Sequence, residues 1–89
     1  MPRIVFTPQL RRFVDAPDFE TGELVLRAAL EACFAVHPRL RGYVLDEQGH
    51  LRPNVVAFID GRRCRERRTL ADALQADSSV YVLQALSGG

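Results

Sequence analysis

The spacing of apolar residues changes several times along the 89-residue chain, and each change marks an element. Arg3-Ile4-Val5-Phe6-Thr7 is short, apolar, β-branched in part and closed by Pro8, the pattern of a strand. A second extended stretch runs through Phe13-Val14 toward Phe19. Together they predict an N-terminal hairpin, interrupted at Pro8-Gln9 or at Asp15-Ala16-Pro17-Asp18. The period then lengthens. Leu26, Ala29, Leu30, Cys33 and Phe34 recur at steps of three and four, an apolar stripe on a helix of about four turns. Thr21 is its predicted N-cap, and Glu23 puts negative charge in the first turn. His37-Pro38 ends it, because proline disfavours helical geometry in the residue before it.

Beyond the helix, Gly42-Tyr43-Val44-Leu45 and His50-Leu51-Arg52 flank Asp46-Glu47-Gln48-Gly49, read as a small hairpin or an extended loop. Asn54 to Ile59 is a near-continuous apolar run, expected as an interior strand, and Asp60-Gly61 is a strong turn signal. Arg62-Arg63-Cys64 should return as an edge strand, Thr69 to Leu74 should supply a short helical turn, and Ser79 to Leu86 a last strand. A right-handed crossover from the N-terminal hairpin would lay the helix stripe on one sheet face. The expected fold is α+β, a ubiquitin-like β-grasp: a mixed sheet of four to five strands packed on one main helix. Its first and last strands lie side by side at the centre. Residues 1–86 then form one domain and residues 87–89 a flexible Ser-Gly-Gly arm.

Composition excludes several classes. There is no apolar stretch long enough to span a bilayer, and Met1 to Phe6 lacks the pattern of a secretory signal, so a cytoplasmic location is expected. A net charge of +1 gives no strong global field for nucleic acid. The one dense charge run, Arg62-Arg63-Cys64-Arg65-Glu66-Arg67-Arg68, has no interleaved aromatic residue, which argues against base stacking. It reads first as a solvated edge protected from strand addition, and second as a surface steering the chain toward an acidic partner or RNA. Lysine is absent, so no side-chain amine of this chain can accept an isopeptide bond. Cys33 lies on the apolar helix face and reads as core. Cys64 reads as packing, with a reactive thiol among arginines as the alternative. His37 and His50 match no metal-ligand spacing and are expected at the surface, and Asp72 and Asp77 do not suggest an acid–base pair.

The most informative segment is the end of the sequence, Ser87-Gly88-Gly89 after an apolar strand. Two glycines make a thin arm that takes backbone angles closed to other residues and can thread a narrow channel to present a carboxylate. Alternation along the last strand places Val80 and Val82 on one face and Tyr81 and Leu83 on the other. If the helix covers the valine side, Tyr81 and Leu83 form an apolar patch beside the arm.

The strand ending Ala57-Phe58-Ile59-Asp60-Gly61, the Thr69-Leu70 stretch and the ending Val80-Tyr81-Val82-Leu83-Gln84-Ala85-Leu86-Ser87-Gly88-Gly89 resemble the ubiquitin-like sulfur carriers of the MoaD/ThiS type. The similarity spans essentially the whole chain. The segment Leu45 to Arg52 looks more like the longer carriers of cysteine biosynthesis than the compact thiamin carriers, and Gln84 stands where many relatives carry proline. The resemblance implies a carrier that is not itself an enzyme and binds no cofactor or metal. A ubiquitin-activating-type adenylating enzyme, using ATP and magnesium, would convert the Gly89 carboxylate to an acyl-adenylate. Sulfur would displace AMP, and the thiocarboxylate would serve a downstream sulfur-accepting enzyme. Gly89 is then the covalent site, Ser87 and Gly88 the arm, and Tyr81, Leu83 and Leu86 the docking surface of a chain that is monomeric alone. Two alternatives stand beside it: a modifier joined through Gly89 to lysines of target proteins, and a non-covalent β-grasp interaction module.

Overall fold

A computed structural model of the chain describes residues 1–84. In order, the elements are β1 (Arg3–Phe6), α1 (Pro8–Arg11), β2 (Phe19–Glu20), α2 (Leu26–Val36), α3 (Pro38–Val44), β3 (Val55–Ile59), β4 (Arg62–Arg63) and β5 (Ser79–Gln84). The strands form one sheet in the order β2-β1-β5-β3-β4. β1 and β5 run parallel at its centre, with Ile4 opposite Val80 and Phe6 opposite Val82. All other pairs are antiparallel. This is the β-grasp expected from the element order, with the first and last strands as neighbours.

One face of the sheet is the core. Ile4, Phe6, Val55, Ala57, Val80 and Val82 are buried there together with Leu26, Ala29, Leu30, Cys33 and Phe34, the apolar stripe of α2. These positions follow the period of two in the strands and the period of 3.6 in the helix, so each element presents one apolar side to the same interior.

Several sequence expectations need correction. Helix α2 begins at Leu26 and not near Thr21. The Thr21 backbone N–H donates to the Pro2 carbonyl, extending the β1–β2 pairing, and its hydroxyl accepts from the Glu23 N–H at 3.2 Å. Residues 24 and 25 are instead extended: Val25 bridges Ala73, and the Leu74 N–H donates to the Leu24 carbonyl. The orphan amides at the start of a helix need acceptors. Here the Asp72 and Leu70 carbonyls accept from the Leu26 and Arg27 amides at 2.9 and 2.8 Å, so a backbone loop does the work assigned to a side-chain cap. That duty also explains why Thr69 to Leu74 forms no helical turn. Leu70 takes a left-handed backbone with φ 56°, uncommon for a branched residue, and it is held there by a completely buried side chain.

The main helix also has two short companions. Pro8 starts α1 instead of merely closing β1, and Phe13 and Val14 continue that turn by donating to the Leu10 carbonyl. The second strand of the N-terminal hairpin is therefore only Phe19–Glu20. Pro38 both ends α2 and opens α3, because a proline lacks the N–H that a first helical position leaves unused. Val44, read from sequence as extended, lies in α3 and is buried with Leu40 four residues earlier. The Leu45–Leu51 bridge and a turn capped by Asp46 form the small hairpin expected there. Asp60 and Gly61, at φ 50° and 86°, both take the positive angles that a tight two-residue hairpin requires.

Leu30 is completely buried on the α2 stripe. Leu30→Ala should destabilise the protein by about 2–5 kcal/mol, because both the transfer free energy and the packing around the lost methyl groups disappear. Urea unfolding measures it directly. A loss below about 1 kcal/mol would be incompatible with this core assignment.

Candidate functional site on the outer sheet face

The last strand delivers the candidate site. Along β5 the valines Val80 and Val82 are buried under α2, whereas Tyr81 is 48% exposed and Leu83 half-buried on the opposite face. Cross-strand register builds a surface around them. Val5 and Phe58 flank Tyr81 on either side, Val56 stands opposite Leu83, and Arg63 lies beyond Phe58 on the edge strand. Val5, Val56 and Phe58 are themselves half-buried. The result is a band of apolar side chains on the uncovered face, centred on the strand that leads into the diglycine sequence. An exposed apolar band of this kind marks a surface suited to a partner.

Sequence reading identified Tyr81 and Leu83 but not Val5, Val56 and Phe58. The run does form an interior strand, β3, between β5 and β4, but within it Val55, Ala57 and Ile59 are buried and Val56 and Phe58 only partly. An all-apolar strand carries no polar residue to reveal which face is open. Leu86, Ser87, Gly88 and Gly89 lie outside the described residues.

Polar bonds fix both ends of β5. At its start the Asp60 carboxylate accepts from the Ser79 N–H and the Ser78 hydroxyl, each at 2.8 Å. These two bonds, the backbone one foremost, hold the Asp60 carboxyl below the usual carboxylate range, with Arg62 adding a smaller attraction. They tie the β3–β4 turn to the root of the central strand. At the other end Gln84 still pairs with Val55. The Gln84 side-chain Oε1 and the Thr7 hydroxyl oxygen are enclosed and have no hydrogen-bond partner among the described residues.

The border of the apolar band carries charge of both signs. Asp18 pairs with Arg3 and with Arg11, the latter at 2.8 Å. The Arg3 bond is the main cause holding Asp18 below its usual range, and the same bond raises the Arg3 guanidinium. Arg62 and Arg63, by contrast, form the exposed edge strand expected of this run.

Both cysteines are packing residues. Burial pushes the Cys33 thiol up to about 11. Cys64 is 8% exposed, and burial, followed by the nearby Asp72 carboxylate, raises its thiol as well, so the surrounding arginines do not make it a thiolate. His37 is half-buried, edge-on to Phe19 with ring centroids 6.5 Å apart, and His50 is half-buried in the turn capped by Asp46. Asp72 accepts from the Arg65 and Glu66 amides, a structural task. Among the described residues, no helix is long and apolar enough to cross a membrane, and no group of three or more His, Cys, Asp or Glu is placed to hold a metal ion.

The fold and the uncovered face together define a ubiquitin-like β-grasp protein. Compared by sequence, the chain matches no protein-family model and no curated protein. Compared by structure, it is similar to a chain of the Amycolatopsis orientalis BexX/CysO complex, at a TM-score of 0.82 and 13% identity over 100% of both chains. It is similar to SAMP1 from Haloferax volcanii, at 0.78 and 20% identity over 99% of this chain and 98% of that one. Urm1 from Sulfolobus solfataricus gives 0.70 and 14% identity over 93% of this chain and 99% of that one. The resemblance read from the sequence is thus borne out in the fold, across nearly the full length of the chain.

The Asp60 bonds predict a pH dependence with a definite sign. Because the folded carboxyl titrates below its unfolded value, its contribution to stability is present above the unfolded value, about 3.9, and is lost as pH falls through the folded one. Carbon-detected NMR should therefore place the Asp60 midpoint below about 3.9, with the Ser79 amide shifting in step. In Asp60→Asn that amide transition should vanish. A midpoint at or above the unfolded value would mean the Ser79 and Ser78 bonds do not form.

Proposed function

We propose that this protein is a sulfur carrier whose reactive group is the Gly89 carboxylate. The observation that carries the reading is that β5, bonded to a strand on each side and exposing the apolar band of Tyr81 and Leu83, leads within five residues to Gly88-Gly89. A rigid root and a side-chain-free end are what a reaction inside another protein's nucleotide site requires. The root fixes direction, and glycines pass where side chains would collide.

In this reading an adenylating enzyme of the ubiquitin-activating type docks on Tyr81 and Leu83 of the outer face and on Leu86 further along the sequence. The chain itself holds neither ATP nor magnesium, which belong to the partner. The Gly89 carboxylate oxygen attacks the α-phosphorus of ATP and pyrophosphate leaves, giving an acyl-adenylate. A carboxylate is a poor electrophile because its charge is delocalised, and the mixed anhydride supplies a good leaving group. Hydrosulfide then attacks the carbonyl carbon, the bond to AMP breaks and AMP departs, and after loss of a proton a C-terminal thiocarboxylate is left to donate sulfur to an accepting enzyme. The chain performs no catalysis in this sequence. A cytoplasmic location accords with it, because ATP and reduced sulfur are available there.

The structural likeness to the small archaeal modifier protein 1 of Methanosarcina acetivorans, at a TM-score of 0.79 and 17% identity, supports a second outcome, in which the same adenylate passes to lysines of target proteins. The two readings share their first step and differ in the acceptor.

Intact mass of the protein isolated from its host tests the requirement that Gly89 bear the terminal carboxylate. With a cognate adenylating enzyme, ATP, magnesium and a sulfur donor, one terminal oxygen should be replaced by sulfur. Deleting Gly89 withdraws the carboxylate by roughly 3.3–3.6 Å of extended chain, which removes it from attack distance, and the mass change should disappear. Equal sulfur gain by the truncated chain would refute the assignment, and isopeptide-linked products without thiocarboxylate would establish the modifier outcome.

The docking surface has its own test. Leu83→Asp should leave far-UV circular dichroism unchanged while lowering affinity for the adenylating enzyme at least about tenfold, since it places a charge inside an apolar contact. Unchanged affinity would move the docking surface elsewhere.

A further inference from the structure

A second site, independent of the carrier reading, lies along β4. A cleft of about 560 Å³ runs between the edge strand and the segment 71–73, with Arg62, Arg63 and Arg65 on one side and Asp72 on the other. Its volume falls within the range of small-ligand sites. Elsewhere Arg3, Arg11, Arg27 and Arg41 pair with carboxylates and Arg52 and Arg67 donate to backbone carbonyls, whereas Arg12, Arg39 and Arg68 have no side-chain partner among the described residues but do not line this cleft. The guanidinium groups of Arg62, Arg63 and Arg65 have no ion pair or hydrogen-bond acceptor among the described residues. Three arginines without a partner among the described residues thus line one concavity within four consecutive positions, although Arg62 and Arg63, as neighbours in a strand, leave it toward opposite faces.

The two lining carboxylates, Asp72 and Glu66, form no ion pair with them among the described residues, though their charges partly offset the three guanidinium groups. Both oxygens of Asp72 accept from the Arg65 backbone N–H, at 3.1 and 2.9 Å, and Oδ1 accepts from the Glu66 N–H at 3.0 Å. Those bonds fix the turn that presents Arg65. Glu66 is the one lining carboxylate with no bond of its own among the described residues.

We propose that this cleft binds a linear oligophosphate, free or as the tail of a nucleotide. Three properties of the cleft select that chemistry. Guanidinium forks match phosphate oxygens in pairs. No aromatic side chain lines the cleft, so nucleobases find no stacking platform, and single-stranded RNA has no advantage over its phosphates alone. The edge strand is two residues long, too short to add an extended acidic peptide as a further strand. A compact ligand of high charge density remains.

The test uses the full-length protein, with tripolyphosphate as the probe at low salt. Titration followed by amide NMR should move the resonances of residues 62–66 and 71–73 first, and affinity should fall steeply as salt is added. The triple variant Arg62→Gln, Arg63→Gln, Arg65→Gln should weaken binding at least about tenfold, as charge-assisted bonds are lost. Glu66→Gln should strengthen it. Arg12→Gln with Arg39→Gln removes the same kind of exposed charge elsewhere and should change affinity less than about twofold. All these side chains are exposed, so each variant should fold, and circular dichroism checks that it does. ATP binding no more weakly than tripolyphosphate would identify a nucleotide tail as a sufficient source, and weaker ATP binding would point to the free chain. The proposal is overturned if shifts spread evenly over all arginines, if the triple variant retains its affinity, or if an oligoglutamate peptide or a single-stranded RNA of equal charge binds more tightly.

Discussion

The parallel pairing of β1 with β5 is the constraint on which the rest of the molecule depends. Two parallel strands cannot be joined by a tight turn, so the chain between Phe6 and Ser79 must travel over the sheet before returning to its centre. The crossover has one productive route, with the apolar stripe of α2 laid across the inner face. Once that is fixed, β3 is antiparallel to β5 along five residue pairs, from Val55 with Gln84 to Ile59 with Val80, and the last strand is bonded on both sides. Ubiquitin-like chains that share little sequence can share this arrangement, because the requirement is topological and demands only apolar residues at suitable periods.

Arginine carries much of the internal wiring of the loops. Arg27, from the first turn of α2, donates to the carbonyls of Thr69, Arg68 and Gly49, at 3.2, 2.8 and 2.7 Å, and lies 3.7 Å from Glu31. One planar group thereby ties the helix to two separate loops. Arg67 reaches the Arg52 carbonyl and Arg52 the Gly42 carbonyl, both at 2.7 Å, continuing the same stitching along the segment between α3 and β3. A lysine ammonium offers three donors from a single point and cannot span acceptors set this far apart. In a chain without lysine, the long loops are held by side chains suited to bridging carbonyls.

Much of the fold was legible because periodicity is a direct imprint of burial. The stripe from Leu26 to Phe34, the Asp60-Gly61 turn and the alternation Val80-Tyr81-Val82-Leu83 each follow from which side of an element faces the interior. What was hidden depended on partners far away in sequence. The start of α2 is set by carbonyls of Leu70 and Asp72, which no local N-cap signal reports. Pro8 and Pro38 carry the same ambiguity, since a residue that ends one element is equally suited to begin the next. Of the candidate site, Tyr81 and Leu83 could be placed on the open face from alternation alone, while Val56 and Phe58 could not, because every neighbour in their strand is apolar as well.

The strict division of β5 into two faces has a consequence for substitutions. Val80 and Val82 answer to the helix layer and are tied to folding, whereas Tyr81 is exposed and Leu83 half-buried on the opposite face. The demands of a folded core therefore fall on one set of positions and largely spare the other, though they alternate residue by residue. Substitutions at the odd-numbered positions can thus change the outer surface while the even-numbered ones keep the scaffold.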